Sequence, residues 1–419
     1  MLENIRVVDF SEGVAGALAA VRLAQLGAEV VKVESYEGDW LRGTAPVMTG
    51  TQMSATFFAL NAGKRSLRLG HAPETAASLM KSLLQRTDVF ITDRKSAQLQ
   101  AMGLDEANAP TYSPNPRLIV AAISAWGEKG PWAEQEGSEL TAQAVAGYTR
   151  YLGASSEVAR RLGADVAAAG TGIFTGQAIL AGLLSRSRNG GVGQRVSLSF
   201  LNSLIAMKSI HLAAQSNPDR YSGPRVGGAN YPPERGWRTR DKNIFFSFGG
   251  AVGASGRPGW VNFLHEAGIP RLLDDPRFDK TGRNSTGLGS DVLALKSEYE
   301  KEFQRFGADE LVPLIRKHAG NAASYQRTDE ALEHPQTEAL GVVREVSTAK
   351  DGASTTRVRA FPARYSRTRP EVSGSAPDLG EHSVEIALEL GLSSTDIDAA
   401  VEIGAIALPA EMELDRASQ

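Results

Sequence analysis

Four short β-branched runs alternate with two helix-like stretches near the start of the chain, and this alternation constrains the fold more than any other feature. The runs are IRVVDF, AEVVKVE, TDVFITD and RLIVAAIS; between them lie GALAAVRLAQLGA and APETAASLMKSLLQR. Unbroken apolar runs of this length suit strands buried on both faces of a parallel sheet. Strand, helix and strand in that order predict right-handed βαβ units and an α/β, doubly wound architecture. Further helices are predicted over ELTAQAVAGYTRYLG, TGIFTGQAILAGLLSRSRNG and LNSLIAMKSIHLAAQ, with QRVSLSF as another strand.

The texture changes near residue 215, where SNPDRYSGPRVGGANYPPERGW is dense in Gly and Pro. Such punctuation places a domain boundary, so residues 1–215 and 216–335 form separate segments, with 336–419 as a third. With 419 residues, the chain is too long for one ordinary core. Its net charge of −3 gives no electrostatic footprint for nucleic acid. The absence of cysteine excludes thiolate metal sites and cysteine nucleophiles, and it fits a cytoplasmic location. The N-terminus lacks the basic start of a signal peptide, and no apolar run approaches the roughly 18 residues of a membrane span. No membrane association is expected.

Several motifs fail on inspection. The turn after the first strand, DFSEGVAGALAA, carries only Gly13 and Gly16, so the dinucleotide fingerprint is incomplete. NAGKRS lacks the first glycine and the hydroxyl of a phosphate loop. The six histidines never pair at metal-ligand spacing, and neither HExxH nor GxSxG occurs; no metal is expected. FGGAVGASGRPGW places Gly249, Gly250, Gly253, Gly256 and Gly259 close together, which suits a surface loop or a mobile lid.

An ordered set of pieces resembles the class III CoA-transferases, the formyl-CoA transferase and carnitine CoA-transferase group. They are VVDFSEGVAG, LGAEVVKVES, GDWLRG, NAGKRSLRL, TDVFITD, AMGLD, NPRLIVAAISAWGEKGPW, GQRVSLSF, DDPRF and LGEHS. The resemblance spans nearly the whole chain. It implies a large Rossmann-like domain to which the C-terminal segment returns, a smaller α+β domain, and two chains interlocked as a dimer. It also implies chemistry without a cofactor, with coenzyme A as substrate. An aspartate attacks an acyl-CoA thioester to form a mixed anhydride, the CoA thiolate re-attacks, and a carboxylic acid collects the CoA. Such an anhydride needs oxyanion donors and exclusion of water, and the glycine-rich loop resembles the family's lid.

The same resemblance exposes a substitution. Registering AILAGLL on the family's helix puts Gly172 on the pattern glycine and Ala168 at the nucleophile position. Asp165 stands three residues too early, roughly 10 Å in an extended chain. Glu139 lies at a different position from the nucleophile, so Asp165 and Glu139 are fallback carboxylates only; a turn or cap role for Asp165 and an early helix charge for Glu139 fit as well. The CoA contacts implied by resemblance fall on Val14, Ala15, Ser35, Asp93, Arg94, Ala101 and Met102. Ser35 and Ala101 replace arginines there, and Asp93–Arg94 replaces an Asn-Phe pair, so CoA binding should be weakened unless Arg94 compensates. The racemase branch needs a His-Asp pair where Ser138 and Glu139 stand and an Asp at Ala168, so racemisation is disfavoured.

The leading expectation is therefore the aspartate-deficient subunit of a heteromeric enzyme, paired with a homologous chain as in succinyl-CoA:benzylsuccinate CoA-transferase. The alternatives are a scaffolding or regulatory homodimer, and an active homodimer using Glu139 or Asp165. Trp126, Trp132, Tyr231 and Trp237 suit an aromatic dicarboxylate pocket, or equally core packing.

Overall fold

The computed structural model describes residues 1–48, 53–71, 76–104, 114–149, 159–209, 236–248, 257–274, 292–347, 355–371 and 374–409, together with 212 and 216. It divides into two compact units, Met1–Ser209 with Glu338–Gln419, and Ile210–Thr337.

The first unit is built on β1 (Arg6–Phe10), α1 (Val14–Gln25), β2 (Glu29–Glu34), α2 (Ala55–Asn61), β3 (Arg65–Arg68), α3 (Ala77–Gln85), β4 (Val89–Thr92), α4 (Ser96–Ala101), β5 (Ile119–Ser124), α5 (Glu139–Val145), α6 (Val166–Arg188), β6 (Arg195–Ser199) and α7 (Phe200–Met207). Its six strands are parallel in the order β3-β2-β1-β4-β5-β6. The predicted α/β sheet is thus observed. Alternate residues of each strand feed two cores, because successive side chains point to opposite faces. Val7, Val30, Val89, Ile91 and Ile119 meet Ala15 and Ala19 of α1 and Ala168 and Ile179 of α6. Val8, Val31, Phe90 and Val120 meet Met80 and Leu84 of α3, together with Ile386 and Ile397. The last two residues belong to the helices Ser383–Glu389 and Ser394–Glu402, which cover that face of the sheet. Between them and the sheet in sequence lies a hairpin of β10 (Val343–Ser347) and β11 (Thr355–Arg359).

The second unit carries an antiparallel sheet of β7 (Trp237–Arg238), β8 (Asn243–Ser247) and β9 (Asn321–Ser324). Its core is aromatic: Trp237, Phe246, Phe248, Trp260, Phe263, Tyr299 and Phe303 are all buried. The Trp260 indole donates to the Tyr299 hydroxyl at 2.7 Å. Gly259 lies in the helix Arg257–Glu266, where a Cβ would stand 2.2 Å from the His318 carbonyl. Its smallness serves packing.

Sequence reasoning missed α2, β3 and α4, which are short, and misjudged α6. That helix starts at Val166, ahead of the predicted TGIF, and runs 23 residues. By length and composition it could cross a membrane, which corrects the expectation that no apolar stretch comes close. Instead Ala167, Ala168, Gly172, Thr175 and Ile179 are buried, as in a core helix. Gly172 permits close approach to α1, since a Cβ there would lie 2.6 Å from the Ala15 carbonyl oxygen.

Beneath the β1–α1 turn lies a buried charge quartet. Asp9 of β1 stands opposite Lys32 of β2 in the parallel register, and both are fully buried. Lys64 donates to Asp9 Oδ2 at 2.8 Å, to Asn61 Oδ1 at 2.8 Å and to the Ala17 carbonyl at 3.2 Å. Lys32 donates to Asp39 Oδ2 at 2.8 Å and to the Ser11 carbonyl. Burial alone would raise the Asp9 carboxyl, but Lys32 and Lys64 hold it below its ordinary range. Burial drives the Lys64 ammonium down to about 8 against the pull of Asp9. Removing one member of such a set strands its partner's charge in a dry interior. Lys64→Met should therefore destabilise the protein by about 3–5 kcal/mol, measured by urea denaturation. An unchanged midpoint would show that the quartet is dispensable.

Candidate functional site

In an open parallel sheet, ligands bind beyond the carboxyl ends of the strands where the strand order reverses. Here that reversal lies between β1 and β4. The two loops are tied across it. Asp93 Oδ2 accepts from the Glu12 backbone N–H at 2.9 Å, and Arg94 pairs with the Glu12 carboxylate. Arg94 also lies over Phe10, 4.8 Å from the ring centroid. Burial raises Asp93 to about 6, although Arg94 opposes the rise.

The quartet aims the β1–α1 turn into this crevice. Gly13 has φ 75°, and its N–H donates to Asp39 Oδ1 at 3.1 Å. A Cβ at Gly13 would meet Trp40 at 2.8 Å, and one at Gly16 would meet Ser11 Oγ at 1.9 Å. A side chain is excluded at both positions, so the turn runs tight and Val14 and Ala15 follow it directly.

The other positions that the resemblance assigns to CoA scatter in role. Ser35 is half-buried and turns its hydroxyl toward the Gly38 carbonyl. Ala101 is exposed, but Met102 is buried in the sheet core, so its side chain packs rather than reaching solvent. Beside Ser35, the Tyr36 ring stacks on His71, and the Arg68 guanidinium lies 4.0 Å from the Tyr36 centroid. Arg68 donates to the carbonyls of Tyr36 at 2.8 Å and Leu408 at 2.9 Å. Arg42 is held by the Glu34 carboxylate. Sequence reasoning missed this cationic edge, because its residues lie on three separated segments.

α6 meets α1 at one side of the crevice. Its N-cap is Asp165, so Val166, Ala167 and Ala168 form its first turn. Ala168 is 7% exposed and its methyl packs with Ala15, Ala19 and Ile179. Glu139 accepts from the Ala167 N–H at 2.9 Å and the Ala168 N–H at 2.8 Å, one oxygen each. Gln143, fully buried, also donates to Glu139 at 2.7 Å. Two orphan amides at a helix start are satisfied by one carboxylate, which the helix dipole favours. Glu139 thus begins α5 and caps α6. Asp165 makes no side-chain cap; it pairs with Arg161 at the surface. Ser138 caps α5 by accepting from the Thr141 N–H.

The four aromatic residues were compatible with a pocket or equally with core packing, and those described divide between the two settings. Trp237 sits at the centre of the second unit's core, 0% exposed, and packs there. Trp126 and Trp132 do meet, edge to face with centroids 5.0 Å apart, and Trp126 borders a groove with Glu128, Lys129, Ser197 and Asn202. Tyr231 and the lid glycines Gly249, Gly250, Gly253 and Gly256 lie outside the described residues.

A sequence model of CoA-transferase family III matches residues 2–383. The chain belongs to CoA-transferase family III. It is 29% identical to a probable fatty acyl-CoA transferase of Mycobacterium tuberculosis, Rv3272, over 91% of this chain and 96% of the relative. It is 29% identical to a succinate–glutarate CoA-transferase of Agrobacterium fabrum, over 93% of this chain and 95% of that one. Among solved structures, a CAIB/BAIF family protein from Brucella suis superposes with a TM-score of 0.78 at 26% identity, covering 93% of this chain and 98% of that one. Membership assigns the chain to the enzymes that move CoA between an acyl-CoA and a carboxylic acid.

Because Glu139 caps α6, Glu139→Ala should lower stability by about 1–2 kcal/mol and raise amide hydrogen exchange at Ala167 and Ala168. Unaltered exchange there would contradict the capping role.

Proposed function

We propose that this chain is the supporting subunit of a heteromeric class III CoA-transferase, with the attacking aspartate supplied by a homologous partner chain. The observation that carries the reading is the first turn of α6. Where the family resemblance puts the nucleophile, the side chain is the buried methyl of Ala168. A methyl carries no lone pair and cannot attack a thioester.

Neither fallback carboxylate fits the task. Glu139 spends one oxygen on each of two backbone amides and a third hydrogen bond on Gln143. Asp165 is half exposed and ion-paired to Arg161, outside the buried contact between α1 and α6. The crevice is also closed electrostatically, since Arg94 is engaged by Glu12 and Arg42 by Glu34. CoA phosphates would have to compete with Glu12 for Arg94.

A second observation favours a partner over a lone scaffold. α6 and α7 leave Ile173, Leu180, Leu184, Ile205 and Met207 between 39% and 60% exposed. Apolar side chains clustered on two neighbouring helices suit burial against a like surface. A homologous chain with the same α6 supplies one, and interlocking with it would make this subunit necessary for the partner's folding. The substrates would be an acyl-CoA and a carboxylic acid; succinyl-CoA and an aromatic dicarboxylate fit the groove beside Trp126.

Two outcomes check this. Expressed alone, the chain should form no hydroxylamine-sensitive acyl-enzyme, and transferase activity should appear only on co-expression with an aspartate-bearing homologue. Full activity from the lone chain would overturn the reading, and unchanged rate in Glu139→Gln would separately exclude Glu139 as nucleophile. The second outcome concerns pH. Asp93 ionises near 6, so falling pH removes an anion beside Arg94 and should strengthen CoA binding to this subunit. Between pH 7 and 5 the gain should be on the order of 3–10-fold by calorimetry, and Asp93→Asn should abolish the pH dependence.

A further inference from the structure

Away from the crevice, two arginines share one half-buried locality without an anion. Arg22 lies in the last turn of α1, and Arg359 ends β11 of the C-terminal hairpin. Arg22 Nη1 donates to Gln25 Oε1 at 2.8 Å and to the carbonyl of Ala360, the residue after Arg359, at 3.4 Å. Its guanidinium stands 5.4 Å from the Phe361 ring centroid. Arg359 Nη2 is a buried nitrogen with no hydrogen-bond partner. Every polar partner of Arg22 is neutral, and neither arginine forms an ion pair among the described residues. Burial, and after it the nearby charge of Arg359, together lower Arg22 to about 10.

Two like charges withdrawn from water are unfavourable unless an opposite charge joins them. Elsewhere this chain answers burial with pairing, as at Asp9 with Lys64 and Glu34 with Arg42. Arg22 and Arg359 lack such a partner among the described residues. Planar guanidinium forks are suited to oxyanions, which accept several N–H bonds at once.

We propose that Arg22 and Arg359 form a binding site for a small oxyanion, phosphate or carboxylate, that fastens the C-terminal return segment to α1. The protein already joins these parts there through hydrogen bonds to neutral acceptors: Arg22 to the Ala360 carbonyl, and the Glu371 N–H to the Gln25 carbonyl at 3.0 Å. A bound oxyanion would neutralise the pair and satisfy Arg359 Nη2. The site is independent of the CoA crevice and of the proposed subunit role.

Thermal melting of the full chain tests this with inorganic phosphate, with succinate, and with chloride at equal ionic strength. Phosphate or succinate should raise Tm by a few degrees beyond chloride; the one that does identifies the source as a free phosphate or an organic acid. The rise should vanish in Arg359→Met, and this variant in chloride should melt no lower than the parent because a repulsion is relieved. Arg22→Gln provides a second variant with the same expected loss if Arg359→Met does not fold. No rise with either anion overturns the site. So does a rise that persists in the variants, which would place the anion elsewhere.

Discussion

The first unit depends on a balanced set of charges where water does not reach. Asp9 and Asp39 face Lys32 and Lys64, two of each sign, and their remaining hydrogen-bonding capacity goes to Ser11, Asn61 and backbone groups. Opposite charges in low dielectric attract strongly, yet each alone would be costly. The set therefore specifies one arrangement of β1, β2, α2 and the loop carrying Asp39. The β1–α1 turn inherits its position from that arrangement, through Gly13 on Asp39 and Lys32 on Ser11.

Close contact between α1 and α6 is the second constraint. Ala15 and Ala19 on one helix and Ala168 and Gly172 on the other let the backbones approach. Interiors are packed as tightly as organic crystals, so a small side chain at residue 168 is compatible with the fold. The Glu139 cap secures the start of the helix there.

Part of the site was legible in the sequence. Asp93 closes TDVFITD and Arg94 follows it, and a loop after a buried strand is where a ligand edge is expected. The alanine at 168 was visible only through the register of AILAGLL against relatives. Lys32 within VVKVE gave a weaker hint, a charge inside an otherwise apolar strand. What could not be read was its pairing, because Lys64 and Asp39 reach it from two distant segments. The cap by Glu139 was hidden for the same reason: it acts on a helix that begins 27 residues later. The apolar length of α6 was underestimated because its glycines do not interrupt the helix, and one of them, Gly172, packs against α1.

By itself, the order of apolar runs determined the α/β sheet, since strands buried on both faces must be apolar at every position while helices show a longer period. It also determined that no side-chain oxygen exists at residue 168. Tertiary structure alone decided what the nearby carboxylates do. Glu139 and Asp165 are both acidic in sequence, but only three-dimensional proximity put one on the amides of α6 and the other on Arg161. Local pattern records which groups a chain carries; long-range contacts, which depend on how separate elements pack, decide which of those groups are occupied.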